Sequence, residues 1–200
     1  MTHAVLGIRT HSGWAAIVGL AGPVKSPVIV ERRRIEMADP DDGEAKQPYH
    51  AAEELEITAA RALIRRHLDE AAKRATEALR ATVADLKHKG YDVTGCGILL
   101  SSGRPAGTLE ATLASHALIH SAEGDHFREA IGQACKNCRV RVSGVKEREL
   151  YGKAAATLTT PEDDLRRQIT ELGRKLGPPW TTDQKLAALA AWLTLWGSQS

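Results

Sequence analysis

Three apolar runs open the chain, at residues 5–10, 14–20 and 28–37, separated by His11-Ser12-Gly13 and by the breaker Ala21-Gly22-Pro23. Links this short cannot carry a parallel crossover, which takes a dozen residues or more, so the pattern predicts an antiparallel meander of three strands. The third run contains a basic triplet, Arg32-Arg33-Arg34, whose members alternate between the two faces of a strand. A polar stretch with Asp39-Pro40-Asp41-Asp42-Gly43 and Gln47-Pro48 fills residues 38–50 as a loop.

From 51 to 89 the period changes. Ile57, Ala60, Ile64, Leu68, Ala71, Ala75, Leu79, Val83 and Leu86 recur every three or four positions, which predicts one long helix with a single apolar stripe and a wet face. At 1.5 Å per residue it would measure roughly 55–60 Å, so it either projects past the sheet or breaks once near its start. Residues 93–100 read as a buried central strand with two glycines. Next come a helix opened by Thr108 with an interruption expected at Gly124, a short strand at 140–145 and a helix at 147–158. Two more helices follow, the first started by Thr160-Pro161-Glu162 and the last by Thr182-Asp183-Gln184.

An antiparallel meander followed by alternating α and β segments implies a mixed α/β sheet covered by helices. That order resembles the ribonuclease H-like fold shared by resolvases, transposases and the actin and hexokinase ATPases. The resemblance covers residues 1–158. Residues 159–200 are then a helical C-terminal extension that packs Trp180, Trp192 and Trp196 onto the domain or onto a partner.

Composition changes this picture little. Hydrophobic residues make up 42% and charged residues 26%, an ordinary globular balance. Lys and Arg number 27 against 25 Asp and Glu, a net +2, which supports no global pull on a polyanion. No apolar run is long enough for a membrane span. The odd count of three cysteines suits a reducing compartment, and the cytoplasm is the expected location.

The resemblance implies chemistry at set places. Nucleases of this fold hold a pair of divalent metal ions on carboxylates in the middle of the first strand, at the end of the fourth strand and at the start of the last helix. Here the first strand offers Arg9, the fourth ends in Ser101-Ser102-Gly103, and the only carboxylates are Glu147 and Glu149, whose placement is better explained as first-turn acids at a helix N-terminus. The ATPases of the fold hold phosphate on the turn between the first two strands. Thr10-His11-Ser12-Gly13 fills that slot, but the accompanying Asp-x-Gly pattern and any Walker A loop are absent.

Two loops therefore stand as candidate anion sites, with Arg9, His11 and Ser12 in one and Ser102 and Arg104 in the other; the ligand would be a phosphate-bearing nucleotide or RNA. His116 and His120 lie four apart on a helix with Glu123 one turn on, a spacing that can present two imidazoles to one Zn²⁺. The Cys135-x-x-Cys138 pair supplies half of a tetrahedral site and closes a helix instead of opening one. Three function classes follow. The leading one is a non-catalytic binding module for a phosphate-bearing ligand or RNA. The others are a metal-dependent hydrolase or nuclease, and an oligomeric structural component, a homo-oligomer built through the long helix and the Trp-rich last helix.

Overall fold

In the computed structural model, which describes residues 1–101 and 107–199, the three opening runs form β1 (Thr2–His11), β2 (Trp14–Ala21) and β3 (Val28–Glu36). They pair antiparallel, as the short links require. On the other edge of β1 lie β4 (Tyr91–Leu100) and then β5 (Arg141–Lys146), both parallel to it, which gives the order β3-β2-β1-β4-β5.

Both faces of β1 are covered, so its side chains alternate between two cores rather than between core and water. Leu6 and Ile8 join Ile17, Ile98 and Phe127 in one cluster, and Val5 joins Val18, Leu99, Leu165 and Leu195 in the other. The first cluster is closed by α3 (Ile57–His88) and α5 (His116–Asn137). The buried stripe of α3 runs Ala60, Ile64, Leu68, Ala71, Ala75, Leu79 and Leu86, the spacing read from the sequence. Its helical pattern does break near the start: short helices α1 (Gly43–Lys46) and α2 (Pro48–Ala51) lie in the segment expected to be loop, and a turn separates them from α3.

The helix opened by Thr108 is α4 (Leu109–Leu113), with the Thr108 side chain accepting from Ala111 N–H. The interruption falls at Ala114–Ser115 and not at Gly124, which lies inside α5 against the Arg128 guanidinium. After β5, a 3₁₀ turn (Glu147–Glu149) leads into α6 (Leu150–Leu158), α7 (Glu162–Arg174) and α8 (Thr182–Gln199).

The segment read as a C-terminal extension supplies much of the second core. α8 lies directly on β1, β2 and β4, burying Ala187–Ala191, Trp192 and Leu195. Trp192 is spent inside the protein, its indole N–H donating to the Val24 carbonyl, and Trp180 donates to Ile169. The contact is close because Gly7 and Gly97, neighbours in register on β1 and β4, both face the helix; a Cβ on Gly97 would sit 2.6 Å from the Ala190 carbonyl oxygen. Among the described residues, no helix is long and apolar enough to cross a membrane.

One buried group makes stability depend on pH. His126 on α5 is 2% exposed, and burial, with the neighbouring His67 adding to it, lowers its pKa to about 4. The unfolded chain holds a proton at that site below about pH 6.5 while the folded one does not, so stability is complete above 6.5 and falls as the pH drops towards 4. The loss is of order 3 kcal/mol. Denaturant titrations at pH 7 and pH 4.5 should show it, and the pH dependence in that window should flatten in His126→Gln.

Candidate functional site

The carboxyl ends of β1, β4 and β5 open into a cleft of about 530 Å³ whose lining includes Arg9, His11, Ser101, Arg128, Glu147 and Arg148. This is where ligands gather in sheets with parallel strands. Arg9 lies beyond the last pairing of β1 with β4, Ile8 with Ile98, so its side chain is not covered by the neighbouring strand.

Arg9 organises the charges of the cleft. Its Nε and Nη2 each donate to Glu147, at 3.1 Å, in a bidentate pair, and its Nη1 donates to Asp183 in the first turn of α8. Burial works against the Arg9 charge, but the hydrogen bonds and negative charges of Glu147 and Asp183 outweigh it and raise the pKa further, so the guanidinium stays ionised. His11 Nε2 lies 2.8 Å from Arg9 Nη1 and 2.9 Å from Asp183 Oδ1. One ring nitrogen cannot accept from the first and donate to the second at once, so the His11 tautomer decides which bond is made. The His11 ring stacks on Trp14 at 4.2 Å, and the Arg34 guanidinium lies 3.9 Å from the centre of the same indole.

The sequence-derived candidates are thus partly gathered. Arg9, His11 and Glu147 meet at the cleft; Glu149 is drawn instead to Lys146 and Arg148 on the surface. Thr10 and His11 belong to the paired end of β1, and only Ser12 and Gly13 form the turn, with Ser12 exposed. The four residues therefore make no open phosphate loop. Ser102 and Arg104 lie outside the described residues. The Arg32–Arg34 triplet is engaged internally: Arg32 donates to the carbonyls of Gly177 and Pro179, Arg33 to Glu31 and Asp85, and Arg34 to Glu36. In the Cys-x-x-Cys pair, Cys135 is buried facing Cys96, whose thiol is raised well above its ordinary pKa by that hydrogen bond and by burial; Cys138 lies apart near the Thr76 carbonyl.

Asp183 was within reach of sequence reasoning and missed. The resemblance expects a carboxylate at the start of the last helix, and the helix that covers the sheet is α8, not the one following β5. Asp183 then fills one of the three expected acid positions; Glu147 follows β5 rather than β4, which ends beside Ser101, and β1 contributes a cation. This donor set does not fit a pair of divalent ions. Mg²⁺ demands near-octahedral oxygen ligands, whereas both carboxylates here are already bound to one guanidinium.

A second group lies on the α5 side. His116 and His120 converge as their spacing suggested, Nε2 to Nε2 at 3.0 Å, and His50 from α2 joins them. Glu123 does not extend towards the imidazoles of α5 as a ligand. Its Oε1 accepts from the Tyr49 and His50 backbone N–H groups and lies 3.3 Å from His50 Nδ1. Burial raises the Glu123 carboxyl above the usual range, against the opposing pull of those N–H groups.

No protein-family model matches the chain, and no curated protein matches it. Solved structures do. A structure of T. thermophilus RuvC in complex with a Holliday junction substrate superposes with a TM-score of 0.54 at 11% identity, covering 98% of this chain and 95% of that one. A second Thermus thermophilus RuvC structure gives 0.53 at 10% identity, again over 98% and 95%. RuvC is a nuclease of the ribonuclease H-like class, and likeness at this level of identity is likeness of fold. With its β3-β2-β1-β4-β5 sheet and helices on both faces, this chain has a ribonuclease H-like fold.

Proposed function

We propose that the protein is a nucleic-acid-binding module of ribonuclease H-like fold whose cleft holds phosphodiesters without cutting them. The observation that carries this reading is the Arg9 guanidinium bonded to both Asp183 and Glu147 at the carboxyl end of β1. An internal cation neutralises the carboxylates that would otherwise repel a phosphate, which is one of the tasks a metal ion performs at such a place. Arg148, 62% exposed, then supplies charge-assisted donors for the backbone of a strand, and Arg128, whose Nε and Nη2 are held by Asp125, lines the same cleft and adds its positive charge.

The nuclease reading has its own support. Asp183 and Glu147 stand at the cleft, and the fold is that of a nuclease, one example of which was solved on a Holliday junction. The same experiment separates the two. Fluorescence anisotropy with branched DNA, duplex DNA and single-stranded RNA, each at several salt concentrations and with EDTA or Mg²⁺, should show binding that survives EDTA and no cleavage with Mg²⁺. The double variant Arg128→Ala/Arg148→Ala should weaken binding by about 10-fold or more and flatten the dependence on salt by roughly one phosphate contact per arginine lost. Absence of binding to every probe at 50 mM salt would remove the proposal. Cleavage that needs Mg²⁺ and disappears in Asp183→Asn would replace it with the nuclease.

A further inference from the structure

We infer that His50, His116 and His120 form a binding site for a single Zn²⁺ ion, separate from the cleft, with Glu123 as the residue that fixes His50 for the task. One ring nitrogen from each of the three histidines lies within 4.8 Å of the other two. Three nitrogens bound to one tetrahedral Zn²⁺ at 2.0–2.1 Å are about 3.3 Å apart. His116 and His120 are already at 3.0 Å, so only His50 and small rotations of exposed side chains remain to close the set.

The ring orientations are compatible with this. His50 meets His116 at 79° and His120 at 61°, and His116 meets His120 at 78°. At these steep angles no two of the rings stack face to face, and the nitrogen distances carry the convergence. The two helical ligands come from one turn of α5, which fixes their separation. The third comes from α2, a distant part of the chain, and it is held in place by more than its own backbone.

Glu123 does the holding. Its side chain is 4% exposed, its Oε1 accepts from the N–H groups of Tyr49 and His50, and the same oxygen faces His50 Nδ1 at 3.3 Å. A proton on Nδ1 shared with that oxygen leaves the lone pair of His50 on Nε2. A carboxylate behind a ligating histidine is a recurring partner in zinc sites, where it fixes the tautomer and makes the imidazole a better donor. Glu123 Oε2 is buried with no hydrogen-bond partner among the described residues. A carboxylate so placed is costly unless a positive charge stands nearby. It also counters the N-terminal end of the α5 dipole, which on its own disfavours a cation at His116.

Three protein ligands and an open fourth position make a site that keeps a water or takes a donor from another molecule. The selection of Zn²⁺ over Mg²⁺ follows from the all-imidazole donor set. The site does not depend on the nucleic-acid reading, since none of its three ligands lines the cleft.

The test uses the full chain, free of affinity histidines, stripped with a chelator and titrated with Zn²⁺ against a chromophoric competitor, with Co²⁺ as a spectroscopic probe. The expected result is one ion per chain, a visible tetrahedral Co²⁺ spectrum and a Zn²⁺-dependent rise in melting temperature. His116→Ala and His120→Ala, both at exposed positions that do not threaten folding, should each lower the affinity more than Glu123→Gln, for which a loss of about 10–100-fold is expected. His88→Ala, at the exposed end of α3, should leave it unchanged. Binding that is substoichiometric, or that persists undiminished in His120→Ala, would overturn the site.

Discussion

Gly7→Ala is expected to lower stability by about 3 kcal/mol or more, the upper end of what an overpacked core costs. A methyl group at position 7 would overlap the Ala187 carbonyl oxygen and press on the Ala191 amide, and both are backbone atoms of α8 that no rotamer change can move aside. Relief requires the whole helix to lift from the sheet, exposing the alanine row Ala187–Ala191 and the side of Trp192. For a chain of this size the melting temperature should fall by roughly 6–12 °C. Gly132→Ala gives the contrast. Gly132 sits inside α5 with nothing within 4 Å of the added atom, so the same methyl should stabilise by about 0.5–1 kcal/mol through helix propensity alone. Thermal melts of the two variants side by side decide the matter: equal effects would mean that α8 does not rest on β1 as closely as described.

That contact also marks where the sequence stops being legible. The order of strands and helices follows from periodicity, because apolar residues at period two or at three-and-four spacing leave few alternatives, and the short links after β1 and β2 force antiparallel pairing. The stripe on α3 was legible for the same reason. What periodicity does not carry is which helix covers which face. Nothing in the pattern 182–199 says that its alanines lie against Gly7 and Gly97; the clue is a match in size between two glycines and an alanine run, which only a pairing register makes visible. The candidate site suffers from the same gap. Arg9, His11 and Glu147 were visible as residues of the right type near strand ends, whereas Asp183 was read only as the opening of a distant helix. His50 gave no signal at all, since it follows a proline in a polar stretch, and its partners His116 and His120 are brought to it by the packing of α2 on α5.

The second large effect is expected at Arg9, and it tests the central idea that a guanidinium stands in for a metal ion. Arg9→Asp removes the cation from Glu147 and Asp183 and puts a third carboxylate beside them. Arg9 is 20% exposed, Asp183 23% and Glu147 43%, so water screens part of the exchange, and a loss of about 2–3 kcal/mol, below that of a fully buried pair, is expected in metal-free buffer. The pH dependence should have a definite sign. Crowded carboxylates have raised pKa values in the folded state, so the variant should be closest to wild type near pH 4–5 and fall further behind as the pH rises and the acids ionise. Mg²⁺ or Mn²⁺ should restore part of the loss by binding the folded form alone, about 1.4 kcal/mol at ten times the dissociation constant, while wild type gains nothing at this cleft because its carboxylates are engaged. Arg9→Gln separates charge from space: it should cost about 1–3 kcal/mol by leaving two carboxylates without their donor, and should respond to Mg²⁺ less than Arg9→Asp does. Melts of the three proteins across a Mg²⁺ series are sufficient. A wild-type shift as large as that of Arg9→Asp would show that the native carboxylates are open to metal, and the cleft would then be that of a metal-dependent nuclease.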